Sequence, residues 1–407
     1  MRDSASPYFV GLDIGTAFVR CVVGILDQQS AARPSIIGHG IAPNLGMRKG
    51  SVVHVDDVAE AIAHAVTEAE RISGKQIKSA TINVNGTHVS GLDSKGVIAI
   101  STANRKITPQ DRARVEEAAT ILQLPANREI IQAFTKSYSV DGQHNIKDPV
   151  DMQGVRLEVD MHLVTAATPN LHSLDLALEK ARITPNHHTI SGLAAAEAVL
   201  NRQLKEAGTV VVDIGAGTTN IVVMEDGEIQ HIAVLPIGGI NVTNDLAIGL
   251  QTDLDVAEAV KVRLGNFLKK STIKISSEKE DHVFETEKIR MIIDARVEEL
   301  FEYVDKELQK INRSRKLPGG VVIVGGSAKL PGITQIAKEK MGLAARIGQL
   351  RDVQGLADTV NDSSFCTATG LMMLDMLLGG EEKESLDYSV SESPLNMINA
   401  LWRRFKK

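Results

Sequence analysis

The 407-residue sequence predicts an α/β protein built by duplication: two related domains around a cleft, a small α+β domain inserted in the first, and a terminal amphipathic helix. Three observations predict this. VGLDIGTAFVRCVVG near the start and VVVDIGAGTTNIVVM about 200 residues later superpose without a gap, placing Asp13 over Asp213, Gly15 over Gly215 and Val23 over Val223. The rhythm of strands and helices breaks between 86 and 161, and the composition turns polar and acidic after Gly380.

In chain order, apolar runs around the first Asp-Ile-Gly-Thr turn imply a hairpin over 8–23, followed by a third strand over 35–41. Apolar spacing of three and four implies a helix over 55–72, with Asp56 and Asp57 as cap signals, and 79–85 returns to strand. Within the insertion, a strand over 96–100 and a helix over 108–122 stand out. A strand over 163–167, a helix over 170–181, a short strand over 188–190 and a helix over 193–204 then close the first domain, giving it residues 1–85 and 162–207. The second domain, 208–380, repeats the hairpin and continues with helices over 242–249 and 256–264. A polar hairpin-like stretch to 285, a helix over 287–311, a strand over 321–324 and a helix over 367–378 follow, with 264–315 as a smaller subdomain.

The chain is long enough for two to three domains, and 43% hydrophobic residues can fill their cores. A net charge of -6 gives no broadly basic footprint, so nucleic acid is excluded as a general partner. Cys21 and Cys366 lie far apart and outside metal-ligand spacing, which fits two buried apolar residues in a reducing compartment. The first residues lack a signal-peptide pattern and no window reaches the length of a spanning helix, so the expected location is cytoplasmic.

A strand, a D-x-G-T turn and a second strand suit phosphate binding: glycine lets backbone N–H groups approach, and the hydroxyl adds a donor. That points to Asp13, Gly15 and Thr16 in the first copy and Asp213, Gly215, Gly217 and Thr218 in the second. Two facing turns can clamp a β/γ-phosphate, with Asp13 and Asp213 holding Mg2+ through water. The third element, VVIVGGSAKLPGI, ends a buried strand in Gly325, Gly326 and Ser327, where absent side chains let a flat base or ribose lie against backbone.

The segment 381–393 has no periodicity and is expected to be a flexible linker. In 394–407, Pro394 stands at a helix start, and Met397, Ile398, Leu401, Trp402 and Phe405 fall on one face. Arg403, Arg404, Lys406 and Lys407 border that stripe, the pattern of an interfacial helix binding anionic lipids. At about 1 kcal/mol per cation near an anionic leaflet, one such helix binds reversibly, and polymerisation makes the attachment avid.

The ordered set of two D-I-G hairpins and a G-G-S turn resembles the actin, heat-shock-protein-70 and sugar-kinase superfamily. That resemblance implies duplicated actin-like (ribonuclease H-like) domains with ATP in the cleft. It also implies that GLAAAEAVL from Gly192 connects the domains, with Glu197 near the attacking water, and that Glu258 and Lys261 reach the nucleoside. GMRKGSVV, ITPQDR, IKDPVDMQGVRLEVDMHLVTA, PIGGINVTNDLA and ARIG are similar to sequences of the FtsA family of bacterial cell-division proteins, as are the insertion and tail. PIGGINVTNDLA brings Gly238 and Gly239 into the expected nucleotide set. The family resemblance implies a peripheral protein on the cytoplasmic face of the inner membrane. Its partners would be the tubulin-like FtsZ, later division proteins at the inserted domain, and further copies of itself in a polymer. It places the FtsZ contact on the helix from Glu287, with Arg296 a candidate residue. Phe18 stands where relatives often carry Lys, leaving Arg20 as the nearest cation, and Asn220 takes the place of a water-positioning His in actin. Alternatives from the same fold are a small-molecule kinase or phosphatase and a pilus-assembly scaffold; a chaperone would need a peptide-binding domain after Gly380.

Overall fold

The computed structural model describes residues 7–26, 33–101, 104–264, 271–276 and 281–379. The expected linker and terminal amphipathic helix lie outside them.

The duplication is visible in the sheets. The first sheet places Tyr8–Ile14, Phe18–Leu26 and Pro34–Pro43 side by side as antiparallel neighbours, then adds Ser79–Val84 and Thr184–Ile190 in parallel beyond the first strand. The second sheet repeats the plan with Thr209–Ile214, Thr219–Glu225 and Glu228–Leu235 antiparallel, then Gly320–Val324 and Ala345–Ile347 in parallel. Equivalent registers result: Asp13 pairs across from Arg20, and Asp213 across from Asn220. The central strands are buried on both faces, as strands sandwiched between helices must be, which is why their sequences are continuous apolar runs.

The two halves are locked by the helix Cys366–Gly379. It leaves the second half and lies against the strand Tyr8–Ile14 and the helix Ser191–Val199. The approach is close enough to require glycine: a Cβ on Gly370 would stand 1.8 Å from the Ala194 carbonyl oxygen, and one on Gly11 2.1 Å from the Ala368 oxygen. Asp375 then fixes the crossing. Its carboxylate, 6% exposed, accepts from the Val10 amide (2.9 Å), Thr81 Oγ1 (2.8 Å) and Asn186 Nδ2 (2.9 Å), one group on each of three first-sheet strands. Both cysteines are buried and their thiols are pushed up by burial, which suits inert packing.

The inserted segment forms its own four-stranded antiparallel sheet, Ser90–Ala99, Arg156–Ala167, Arg128–Val140 and Gln143–Ile146, covered by the helix Pro109–Thr120. That helix starts in a reciprocal cap: Thr108 Oγ1 accepts from the Asp111 amide, and Asp111 from the Thr108 amide. The sheet packs on the edge strand Glu228–Leu235 of the second half. His162 makes the join. Its Nε2 accepts from the Ile232 amide at 3.0 Å and its Nδ1 donates to Asp93 at 2.7 Å, Asp93 being held in turn by Lys136. His231, paired with Glu307, stands edge-on to the His162 ring.

Several local expectations change. The strand expected over 163–167 is the end of one continuous strand beginning at Arg156, so the inserted sheet runs past the expected boundary at 161. The helix expected over 193–204 breaks after Val199; Asn201 caps a new helix, Arg202–Ala207, by accepting from the Leu204 amide. Asp56 and Asp57 sit inside the first turn of Val55–Ser73, where they complement the helix dipole; the N-cap is His54, without a side-chain bond. The elements that escaped the sequence reading include Glu228–Leu235, the helix Ile333–Met341 and the strand Ala345–Ile347.

Gly370→Ala should cost about 3 kcal/mol in urea denaturation, since the new methyl meets backbone that has nowhere to go. Burial depresses His162 despite Asp93, with His231 and Lys136 opposing a second positive charge. The folded state therefore binds fewer protons there than the unfolded state. Its contribution is full above the ordinary histidine range and is lost as pH falls below it. Thermal unfolding from pH 7.5 to 5 should show a steeper loss in the parent chain than in His162→Gln.

Candidate functional site

The two equivalent turns face each other across a cleft of about 340 Å³. Each turn closes the same way: the Gly15 amide donates to the Phe18 carbonyl at 3.0 Å, and the Gly215 amide to the Thr218 carbonyl at 2.9 Å. The tips nearly touch, because a Cβ on Gly217 would stand 2.9 Å from Thr16 Oγ1. Asn85, just after the strand Ser79–Val84, bridges the halves by donating to Thr218 Oγ1 at 3.1 Å.

At the floor lie Asp13 and Asp213, both buried. Asn83 Nδ2 donates to Asp13 Oδ1 at 2.8 Å and to Ser191 Oγ at 3.0 Å; Asn220 Nδ2 reaches Asp213 Oδ2 at 3.2 Å, and Thr367 Oγ1 the same oxygen at 3.4 Å. Burial pushes Asp13 up to about 7; Arg20 opposes the rise and the Asp213 charge adds to it. Asp213 is likewise raised by burial, against its hydrogen bonds from Asn220 and Thr367. Two desolvated carboxylates, both held above the ordinary range by burial, describe a site short of positive charge, the chemistry a hydrated divalent cation satisfies. Asn220 Oδ1, buried without a partner beside them, is a further acceptor for such an ion's water shell.

The second-half wall is made of backbone. Gly325, at φ +88, turns the chain against Asp213, where a Cβ would lie 2.5 Å from Oδ1. Gly326 has nothing within 4 Å of a Cβ position and lies open to the cleft. The turn is pinned by the Gly325 amide to the Ser363 carbonyl (2.9 Å) and by Ser327 Oγ to the Gly215 carbonyl (3.2 Å). Gly239 begins the helix Gly239–Leu250 and donates its amide to the Gly215 carbonyl at 2.9 Å. Lys261 binds Glu258, Thr243 Oγ1 and the Gly239 carbonyl, so this cation and carboxylate form one preorganised edge.

Twelve of the expected nucleotide residues line the cleft: Asp13, Gly15, Thr16, Asp213, Gly215, Thr218, Gly239, Glu258, Lys261, Gly325, Gly326 and Ser327. Gly217 lies between the turns and Gly238 beneath Ala216, neither on the cleft wall. Glu197 is outside the lining; its carboxylate takes a 2.5 Å bond from Lys205, so the structure does not bring it to the floor. Ser191, at the start of that helix, is the segment's lining residue. Arg296 is engaged by Asp245 through both Nε (2.5 Å) and Nη2 (2.9 Å) and also by Glu299. Sequence reasoning missed Asn83, Asn85, Ser191 and Thr367, single polar residues at strand or helix ends with no motif around them. The candidate membrane residues Met397, Ile398, Leu401, Trp402, Arg403, Arg404, Phe405, Lys406 and Lys407 lie outside the described residues.

Duplicated sheets around a cleft, joined by crossing helices, define the actin-like fold. Solved structures that share it include the PilM–PilN type IV pilus biogenesis complex, with TM-score 0.64, 17% identity and coverage of 90% of this chain and 98% of that one, and MreB5 of Spiroplasma citri bound to ADP, with TM-score 0.54, 13% identity and coverage of 93% and 99%. At such identities the likeness concerns the fold. The model of cell division protein FtsA matches residues 210–370, and that of the SHS2 domain inserted in FTSA matches 86–165. Over 391 residues the chain is 33% identical to cell division protein FtsA of Pseudomonas aeruginosa, covering 94% of this chain and 92% of that one. The chain belongs to the FtsA family of cell-division proteins.

The charge distribution makes a checkable statement. Asp13 holds its proton more tightly folded than unfolded, so its contribution is full at low pH and is lost as pH rises from the ordinary carboxylate range through about 7. Without nucleotide or metal, Asp13→Asn should therefore melt above the parent at pH 8, on the order of 3 kcal/mol more stable, with the gap closing toward pH 4.

Proposed function

We propose that this chain is an ATP-binding scaffold of cell division that tethers FtsZ filaments to the cytoplasmic face of the inner membrane and recruits later division proteins through its inserted domain. The observation that carries the nucleotide part is the pairing of Asp13 and Asp213 on the floor of a cleft walled by Gly325 and Gly326. In this reading the two turns present backbone amides to the phosphates, Asp13 and Asp213 hold Mg2+ through its water shell, and the base and ribose lie along Gly325–Ser327 with Glu258 and Lys261 at the nucleoside edge. Mg2+ would neutralise phosphate charge and the raised carboxylates together.

Binding rather than turnover is the role the cleft supports. Its lining carboxylates are Asp13, Asp213 and Glu258; Asn220 has no proton to exchange near neutral pH, and Glu197 is paired elsewhere. Nucleotide joining the two halves would favour one closure angle, and that closure would permit head-to-tail self-association. Polymers multiply the weak attachment of single tails to anionic lipid through residues 394–407. The helix Thr286–Lys310 is the proposed FtsZ-facing element, with Arg296 positioned there by Asp245.

Flotation tests the whole. FtsZ filaments mixed with the full chain, ATP and anionic liposomes should rise with the vesicles, whereas a chain ending at Ser393 should leave them behind. Asp213→Ala should weaken ATP-dependent recovery by more than tenfold. A full chain that floats alone would retain the membrane role and remove the FtsZ role.

A further inference from the structure

The inserted domain is attached at two ends. At its root, Arg128 Nη2 donates to the His88 carbonyl (2.9 Å), Ser90 Oγ (2.6 Å) and the Thr165 carbonyl (3.1 Å), so the strands entering and leaving the domain are pinned together. Gln132 Nε2 donates to Thr189 Oγ1 at 2.8 Å and joins that root to the first half. The far end rests on Glu228–Leu235, the outer strand of the second sheet, whose outward backbone groups face no neighbouring strand. His162 supplies a partner there through the Ile232 amide. The ring is 1% exposed, and Gly91 lets it in: a Cβ there would stand 2.4 Å from Nε2 and 2.5 Å from the Ile232 carbonyl oxygen. Lys147 Nζ adds a bond to the Asp226 carbonyl (2.9 Å) at the turn before that strand.

The His162 contact exists in one protonation state. With Nδ1–H donating to Asp93, the lone pair at Nε2 faces the Ile232 N–H; a second proton would set donor against donor. The charged groups around the ring come from both sides. From the inserted sheet come Asp93, bonded to Lys136, and next along the strands the exposed pair Lys95–Asp160. From the second half come His231, its ring centre 5.6 Å away, and Glu307, which His231 shares with Lys310. Burial opposes a positive ring most strongly, Asp93 favours it, and His231 and Lys136 oppose it. Separation of the two surfaces would relieve the burial and remove His231, whereas Asp93 would stay, because it lies directly across from His162 within the inserted sheet. The separated state therefore binds the proton more tightly than the docked one. Docking is full above the histidine range and weakens by up to about tenfold for each pH unit below it.

We infer that the inserted domain is latched to the second half by a proton switch: neutral His162 holds the Ile232 amide, and protonated His162 lets the domain swing away on its Arg128 root. Any buried neutral histidine lowers overall stability in acid; local release at one surface is specific to this geometry. The switch needs no unfolding of the inserted sheet, which keeps its own core of Val115, Leu157, Val159, Met161 and Leu163. Release uncovers backbone groups along Glu228–Leu235 and frees the first half from a grip on the second that is separate from the helix crossing.

Hydrogen exchange of the full chain, followed amide by amide between about pH 8 and about pH 5.5 and corrected for the intrinsic pH dependence of exchange, reads the latch directly. Protection at Ile232 should fall by at least about tenfold toward acid pH while Val211, on the central strand of the same sheet, stays protected. In His162→Gln, whose carbonyl oxygen accepts without titrating, protection at Ile232 should be flat; in His162→Lys it should be low throughout. Equal losses at Ile232 and Val211 would mean global unfolding and overturn the inference, as would flat protection in the parent chain. Spin labels at the exposed Ile121 and Ile248, introduced through cysteine, test the movement: their distance distribution should broaden over the same pH range. Unchanged distances would reduce the event to one broken hydrogen bond and overturn the release of the domain. If neither His162 variant folds, the parent decides, since the nitrogen signals of the His162 ring must titrate with the midpoint at which Ile232 loses protection; separate midpoints overturn the inference.

Discussion

Gly370 lets the last helix cross the helix Ser191–Val199 with backbone against backbone, and Gly11 lets the same helix lie on the first strand. Asp375 then ties it to three strands at once. Each half ends its sheet in a helix that packs against the other's, and the angle between the halves follows from how closely the two helices approach. A methyl at either glycine would meet the backbone of the facing element. The facing of the two Asp-Ile-Gly turns depends on this contact together with the Asn85–Thr218 bridge and the His162 join.

The cleft floor then inherits an electrostatic problem. Two carboxylates carried by equivalent strands are brought together in a desolvated place; burial raises the proton affinity of both, and the Asp213 charge adds to the rise at Asp13. Asn83, Asn220 and Thr367 supply partial positive charge through hydrogen bonds, and Arg20 supplies a full one. Holding two such carboxylates there works against stability as pH rises from the ordinary carboxylate range toward neutral.

Much of this was legible in the sequence because duplication writes itself twice. A gapless match over 15 positions fixed the equivalence of Asp13 with Asp213, and apolar runs on both sides marked strands buried on both faces. The floor's other polar groups left no such trace: Asn83, Ser191 and Thr367 become neighbours only through the sheet order and the helix crossing. The edge strand Glu228–Leu235 was missed for a local reason. Its outer face receives the inserted sheet, so its burial does not alternate and its sequence, EIQHIAVL, shows neither a period of two nor a pure apolar run. The insertion boundary was misplaced for the opposite reason: Arg156–Ala167 is one strand serving two neighbourhoods, and the change in company has no residue of its own.

The position of the insertion has a consequence for how an unsymmetrical ligand lies in a nearly symmetrical cleft. In the second half, the strand Gly320–Val324 is followed by Gly325 and Gly326, bare backbone facing the space. In the first half, the equivalent strand Ser79–Val84 is followed by Asn85 and Gly86, and from there the chain departs into the inserted sheet. Asn85 donates across to Thr218, and Gly86 is packed against Gly50. The slot that mirrors the flat glycine shelf is therefore filled. A molecule with a planar end and a charged end would meet two doors built to one plan, one of them occupied by Asn85 and Gly86, so topology alone would favour one orientation over its mirror.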